Sequence, residues 1–300
     1  MDDQNALGAF LRARREQVRP EQVGLTGGSR RRTPGLRREE VATLAGISSD
    51  YYLRLEQGRD RTPSPQILDA LARVLLLDEA ATGYLFGLVR PRPRQARDTS
   101  AQVPDGTLLL LRSLTLPAFV QDRYLDVLAS NPLAVALSPN LRPGVNRLLA
   151  AFLDPAEQRL HADWDRATAS AVGQLRAGLG HETEDPRAVA LVGELSMRSD
   201  RFRQLWARQS VVAPAGGPAT LHHPDVGELR LHREKYGIAG TDGQVLVIYH
   251  PEPGTPSAES LALLGSLAAS ADNAATVRST ISPWASARDT DGTPSPGWSP

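Results

Sequence analysis

The chain has 300 residues, 41% of them hydrophobic, with no cysteine and a formal net charge of zero. That apolar content suffices for packed cores, and the length suits one large domain or two ordinary ones. The lack of cysteine excludes disulfides and thiolate metal sites, no apolar run reaches the roughly 20 residues of a membrane span, and the acidic opening MDDQNALGAF is unlike a signal peptide; the expected compartment is the cytoplasm.

The neutral total conceals a division. Residues 1–97 hold 17 arginines against 12 acids, a balance of +5, whereas residues 98–300 hold 17 basic residues against 22 acids, a balance of −5. A basic front and an acidic rear point to a polyanionic partner for the front. The basic residues are almost all arginine, whose planar fork suits phosphate and guanine.

The first predicted helix is ALGAFLRARREQV, with Leu7, Phe10, Leu11 and Val18 on one stripe. A long insert follows, VRPEQVGLTGGSRRRTPG, of a length uncommon in compact domains and often functional. LRREEVATLAG is a second helix, with Leu36, Val41, Leu44 and Ala45 as its apolar set and a break at Gly46. Ser48 is a good N-cap for a third, GISSDYYLRLEQGR, in which Tyr52 and Leu55 share a buried face and Ser49, Asp50, Leu53 and Arg54 the opposite one. Ser64 caps a fourth helix with Pro65 at its first position, and Asp78 caps a fifth. Residues 90–106 are Pro-rich and charged, a linker by composition.

Further on, AFVQDRYLDVLASN reads as two short strands with a turn near Asp122–Arg123, and Asn131–Pro132 ends the second and caps a helix. Helical stretches are predicted around Val145–Leu153, Pro155–Gly178 and Pro186–Ser210. GELRLHREKYGI and QVLVIYHPE alternate as strands joined by AGTDG, a strong hairpin turn. SAESLALLGSLAA is the last helix, and beyond Ser270 the composition is that of a disordered tail. The expected layout is a five-helix domain over 1–89, a linker over 90–106, an α+β domain over 107–269 and a tail over 270–300.

Two helices joined by a tight glycine turn inside a five-helix bundle form a helix-turn-helix, whose second helix lies in the DNA major groove. The stretch LRREEVATLAGISSDYYLRLEQGRDRTPS resembles the phage-repressor (Cro/C1, or XRE) helix-turn-helix pattern, in Glu40, Ala42, Gly46, Ser48, Glu56, Gly58 and the Pro63–Ser64 entry to the next helix. The resemblance implies an all-α bundle that binds a double-stranded DNA operator. It places Arg38 where the family has a phosphate- or base-contacting glutamine, Ser49, Asp50 and Arg54 at base-reading positions beside the Ser48 cap, and Arg15 with Glu56 in a structural ion pair. Asp50 either accepts from a cytosine amine or caps its own helix. Tyr52 is expected in the core, whereas Tyr51 reaches phosphate. The insert's Arg30, Arg31 and Arg32 are candidates for phosphate or minor-groove contact, against the plain alternative of a solvated charge run. Arg37 stands where the family has a small cap residue, which moves the expected cap to Thr33, with Pro34 behind it.

The rear stretches PAFVQDRYLDVLASNPLA, FLDPAEQRLHADWDRATASAVGQLR, SDRFRQLWARQSV and HPDVGELRL resemble the MmyB-like ligand-binding domain that follows such a helix-turn-helix in actinobacterial regulators. One departure is Ser130, where the family often has tryptophan. The resemblance implies a PAS-like sheet flanked by helices, able to enclose a small apolar, fatty-acid-like ligand; the expected assembly is a homodimer, and the lack of a membrane span leaves no membrane partner expected. Tyr124, Leu128, Asn131, Phe152, Trp164, Phe202 and Trp206 are the candidate ligand contacts, and large residues of this kind are also ordinary core. A rear domain that only dimerises or docks a protein is the alternative.

No cofactor is expected, and His222–His223 lacks a third ligand at metal-site spacing. No nucleophile elbow, phosphate loop or dinucleotide glycine pattern is present, and HETED at His181 lacks the second histidine of a metalloprotease helix, so no enzymatic activity is expected.

Overall fold

The computed structural model describes residues 5–26, 33–89, 102–179, 185–212 and 216–281. The linker from 90 to 101 and the Arg30–Arg32 run lie outside them.

Five helices form the front: α1 (Ala6–Gln17), α2 (Arg38–Ala45), α3 (Ser49–Glu56), α4 (Pro65–Val74) and α5 (Glu79–Val89). Their core holds Phe10, Leu11, Leu36, Val41, Tyr52, Leu55, Leu68 and Leu85, all nearly or fully buried. The expected caps are present. Ser48 Oγ accepts from the Tyr51 amide at 3.1 Å, Ser64 Oγ from Ile67 at 3.4 Å and Asp78 Oδ1 from Ala81 at 2.8 Å.

Two expectations for α2 need correction. Thr33 does not cap it: the helix begins at Arg38, and Glu40 turns back to accept the Arg37 amide at 2.7 Å. Glu40 thus satisfies the N-terminal donor from inside the helix, so no small residue is required there. Leu44 is exposed because this short helix meets the core through Val41 and Ala42. Gly46 closes α2 at φ 70°, a left-handed conformation that glycine adopts without strain.

The rear begins with α6 (Asp105–Ser113), which falls partly in the segment read as linker. Five strands then form one antiparallel sheet in the order β2-β1-β5-β4-β3: β1 (Ala118–Gln121), β2 (Val127–Ser130), β3 (Gly217–His223), β4 (Gly227–Gly237) and β5 (Val245–Pro251). Strand β3, not assigned from the sequence, sits at an edge, where the missing amide of Pro218 is tolerated.

One sheet face, with Phe119, Leu229, Leu231, Val247 and Tyr249, packs on α7 (Pro132–Leu137) and the last helix, α13 (Pro256–Ile281). The other face, with Ala118, Val120 and Leu246, packs with Leu111 of α6. By the two-residue period of a strand, Arg233 and Lys235 point to the same face as Leu229 and Leu231; their register partners Tyr249 and Val247 agree.

The remaining helices are α8 (Arg147–Leu153), α9 (Pro155–Leu160), α10 (Trp164–Leu179), α11 (Pro186–Arg198) and α12 (Asp200–Ala207). The stretch predicted as Pro155–Gly178 is interrupted where His161 bridges to Leu221 and the Ala162 amide donates to Thr220 at 3.1 Å, after which Asp163 caps α10. The stretch Pro186–Ser210 is divided at Ser199, whose hydroxyl accepts from the Phe202 amide at 3.2 Å. The last helix continues to Ile281, past the Ser270 at which composition set the start of the tail, and residues 282–300 lie outside the described set.

The two halves touch. Helix α10 packs against α5, Val211 is buried in the front core, and Gln17 Nε2 donates to the Arg208 carbonyl at 2.6 Å.

Candidate functional site

Helix α3 is fixed by a buried carboxylate. Glu56, its last residue, has no side-chain exposure; Oε1 lies 2.6 Å from Arg15 Nε of α1 and Oε2 lies 2.7 Å from Arg38 Nε of α2. One acid therefore joins three helices, and the expected Arg15–Glu56 pair is part of a triad. Burial alone would raise the Glu56 carboxyl, but the hydrogen bonds from Arg15 and Arg38 overcome this and hold it below the ordinary carboxylate value. Arg15 also donates to the Leu36 carbonyl at 2.9 Å, which sets the approach to α2.

Two residues passed over in the sequence complete this joint. Asn5 caps α1 through the Gly8 amide at 2.9 Å and donates to the Glu56 carbonyl at 2.7 Å. A Cβ on Gly8 would come within 2.2 Å of that carbonyl oxygen, so α1 and α3 can approach this closely only at a glycine.

Arg38 is 44% exposed, and its Nη groups make no hydrogen bond among the described residues. The carboxylate of Glu56 thus holds the guanidinium by one edge and leaves the other for solvent or a ligand. On α3 itself, Tyr52, Leu55 and Glu56 are buried while Ser49 and Asp50 are exposed. Asp50 pairs with Arg54 one turn on, and the Arg54 guanidinium lies 5.5 Å from the centre of the half-buried Tyr51 ring. Ser48 holds the cap, so the helix-capping alternative for Asp50 falls away. Arg59 and Arg61, just after α3, are exposed cations that the sequence reading did not single out.

The seven rear candidates fall in three places. Phe152, Trp164, Phe202 and Trp206 form one aromatic cluster among α8, α10 and α12, with ring centres 5.4–6.3 Å apart. Tyr124 borders that cluster, but its hydroxyl is bonded to Arg123 and Asp185. Leu128 belongs to the other sheet face. Asn131 is a buried corner post, accepting from the Ala118 and Ala134 amides at 3.1 and 2.9 Å and donating to the Leu116 carbonyl at 2.7 Å.

None of the seven lines the two hollows found. The larger, about 460 Å³, is an apolar groove along α13, bounded by Leu116, Leu133, Pro251, Leu261 and Gly265. The smaller, about 10 Å³, is space for a single water beside Arg147, Glu157, His161 and Tyr249. His223 is structural, its Nε2 being 3.0 Å from the Ala136 carbonyl and its Nδ1 accepting from the Asp225 amide at 3.2 Å.

Near the smaller hollow lies a group of cations absent from the sequence reading. Arg147 Nη1 donates to Gln121 Oε1 at 2.7 Å, and its guanidinium lies 4.8 Å from the centre of the Phe119 ring. Lys235 Nζ donates to Gln174 of α10. Burial, reinforced by Arg233 and Arg147, pushes Lys235 down to about 6. Two residues along α10, Arg176 stacks at 3.8 Å on Trp206 and donates to its carbonyl at 2.7 Å, beside Tyr84 of α5.

Comparison with known families agrees with this division. Residues 6–85 match a helix-turn-helix domain model, and residues 103–264, over half the chain, match the MmyB-like transcription regulator ligand binding domain. No curated protein matches the chain.

Proposed function

The chain belongs to the MmyB-like transcription regulators, DNA-binding proteins with a ligand-binding rear domain, and from that premise we propose that α3 reads a specific operator in the major groove. Ser49, Asp50 and Arg54 face base edges, while Arg38, Ser48 and Tyr51 hold phosphates. The observation that carries this is the Glu56 triad, which buries one side of α3 rigidly and leaves Arg38 pre-oriented beside it. Paired, Asp50 and Arg54 present an acceptor next to a donor fork, suited to a cytosine amine and a guanine edge. Arg30, Arg31 and Arg32 add phosphate or minor-groove contacts from the insert.

The test is enrichment from a pool of randomised duplexes by the full chain at moderate salt. A single shared sequence is expected. Retention of all sequences alike, weakening uniformly with salt, would overturn the reading.

The rear domain, in this proposal, senses a small, largely apolar ligand in the cytoplasm, and the chain acts as a homodimer on a two-fold operator rather than as an enzyme. Support for sensing comes from the matched domain and from the α10–α5 contact, which gives the rear domain a physical grip on the front. The second reading, a dimerisation or docking module, draws support from the closed aromatic cluster and the apolar groove along α13. Melting curves of the full chain with and without medium-chain fatty acids separate the two: a saturable upward shift supports sensing, and its absence supports the module.

A further inference from the structure

We propose that Arg147, Arg233 and Lys235 form a binding site for a small oxyanion, a carboxylate or a phosphate, at the polar end of the sheet's inner face. The three side chains come from α8 and β4 and share one sheet face: Arg147 lies over Phe119, Phe119 pairs with Val247, and Val247 and Tyr249 pair in turn with Lys235 and Arg233. None has a carboxylate within 4.0 Å among the described residues. Glu157, whose field reaches Arg147, is already engaged: Ser138 donates to it at 2.7 Å and Asn140 at 3.1 Å, and His161 lies 3.3 Å away. Glu234 alternates to the opposite face, where it lies 3.9 Å from His250.

A buried cation without a counter-charge is costly, and like charges beside it raise the cost. A purely structural role accounts for Arg147, which has an amide oxygen and a ring face. It does not account for Arg233, whose Nε is buried with no partner, nor for Lys235, which has one neutral amide oxygen. Arg176 of the same domain also has a buried Nε without a partner, but an amide oxygen, a carbonyl and a ring take up the rest of its guanidinium. Two guanidinium forks and a lysine amine, which an arriving anion would help to keep protonated, are the donor set that an oxyanion takes. Arg233 and Lys235 remain partly exposed, so the site is open to small solutes.

Occupancy would draw Lys235 from Gln174 and so act on α10, the helix that meets α5. That regulatory consequence deepens the sensor reading and rests on it; the binding itself does not.

The experiment is thermal melting of the full chain at fixed ionic strength, with inorganic phosphate in one arm and acetate or octanoate in the other. At least one arm should raise the melting temperature saturably. In Arg233→Gln and Lys235→Met the anion's apparent affinity should fall tenfold or more, while both variants without anion melt at or above the wild-type temperature. The phosphate and carboxylate arms identify the source of the oxyanion. No saturable effect in either arm, or an equal effect in wild type and both variants, overturns the site; the latter would mean that the anion sits on the arginine-rich front. Saturable binding that leaves affinity for duplex DNA unchanged supports the site and counts against the sensor reading alone.

Discussion

Buried positive charge is handled in opposite ways in the two halves of this molecule. In front, Arg15 and Arg38 close on Glu56, and the acid is held ionised between them. In the rear, Arg147, Arg233 and Lys235 gather with amide oxygens and a ring as their direct contacts among the described residues, and Glu157 acts on Arg147 only from beyond 4.0 Å. The first arrangement is complete within the chain and positions α3 once, at folding. The second leaves a charge unanswered, which is the condition in which a ligand has most to contribute. On the function proposed above, a domain that reads DNA needs a fixed surface and a domain that responds to a ligand needs an unsatisfied one.

Breaking the complete arrangement should have the largest effect. Glu56→Ala leaves the buried Arg15 with only the exposed Glu16, 3.6 Å away, as counter-charge and should destabilise the front domain by about 3–5 kcal/mol. Chemical denaturation of the full chain, followed through α-helical signal, measures it; a curve that overlays wild type would show the pair to be dispensable.

Next comes the reading surface itself. Arg54→Ala should weaken binding to the enriched operator by about 1–3 kcal/mol and relax preference at one base position.

The insert should contribute through salt alone. Each phosphate neutralised by Arg30, Arg31 or Arg32 adds about 0.9 to the salt slope of log affinity, so the triple alanine variant should flatten it by roughly two to three units. An unchanged slope, measured on one operator from low to moderate salt, would identify a solvated run.

The smallest effect concerns Lys235. Its folded value of about 6 lies below the ordinary 10.5, so between those limits the unfolded chain binds more protons and stability rises with pH. The deficit grows as pH falls from 10.5 and is complete below about 6, with Arg233 and Arg147 as the facing charges. Lys235→Met should flatten this dependence and slightly stabilise the protein at neutral pH. A steeper dependence in the variant would contradict the assignment.

The sequence showed these regions unevenly, for physical reasons. Ser48, Ser64 and Asp78 are local devices whose hydrogen bonds lie within three residues, so they were legible as caps. The Arg15–Glu56 pair is legible only through family resemblance, which gives the third member, Arg38, a DNA contact and no part in the pair. Strand β3 was hidden by Pro218, and α6 by a leucine run with no period and a linker-like start. Leu44 follows the apolar pattern yet lies outside, because the pattern does not say how far along α2 the core extends. The cation cluster joins α8 to β4, and no spacing within either segment announces it. The aromatic candidates do gather as large residues should, but on one another.

The division of labour on the front surface is the central claim, and a titration of single-base operator variants tests it most directly. Wild type, Arg54→Ala and Arg38→Ala would each be measured by fluorescence anisotropy against the enriched duplex and its full set of single-base changes. The account predicts that Arg54→Ala loses discrimination at one position while Arg38→Ala weakens every duplex by a similar factor. Discrimination that is unchanged in Arg54→Ala would contradict it.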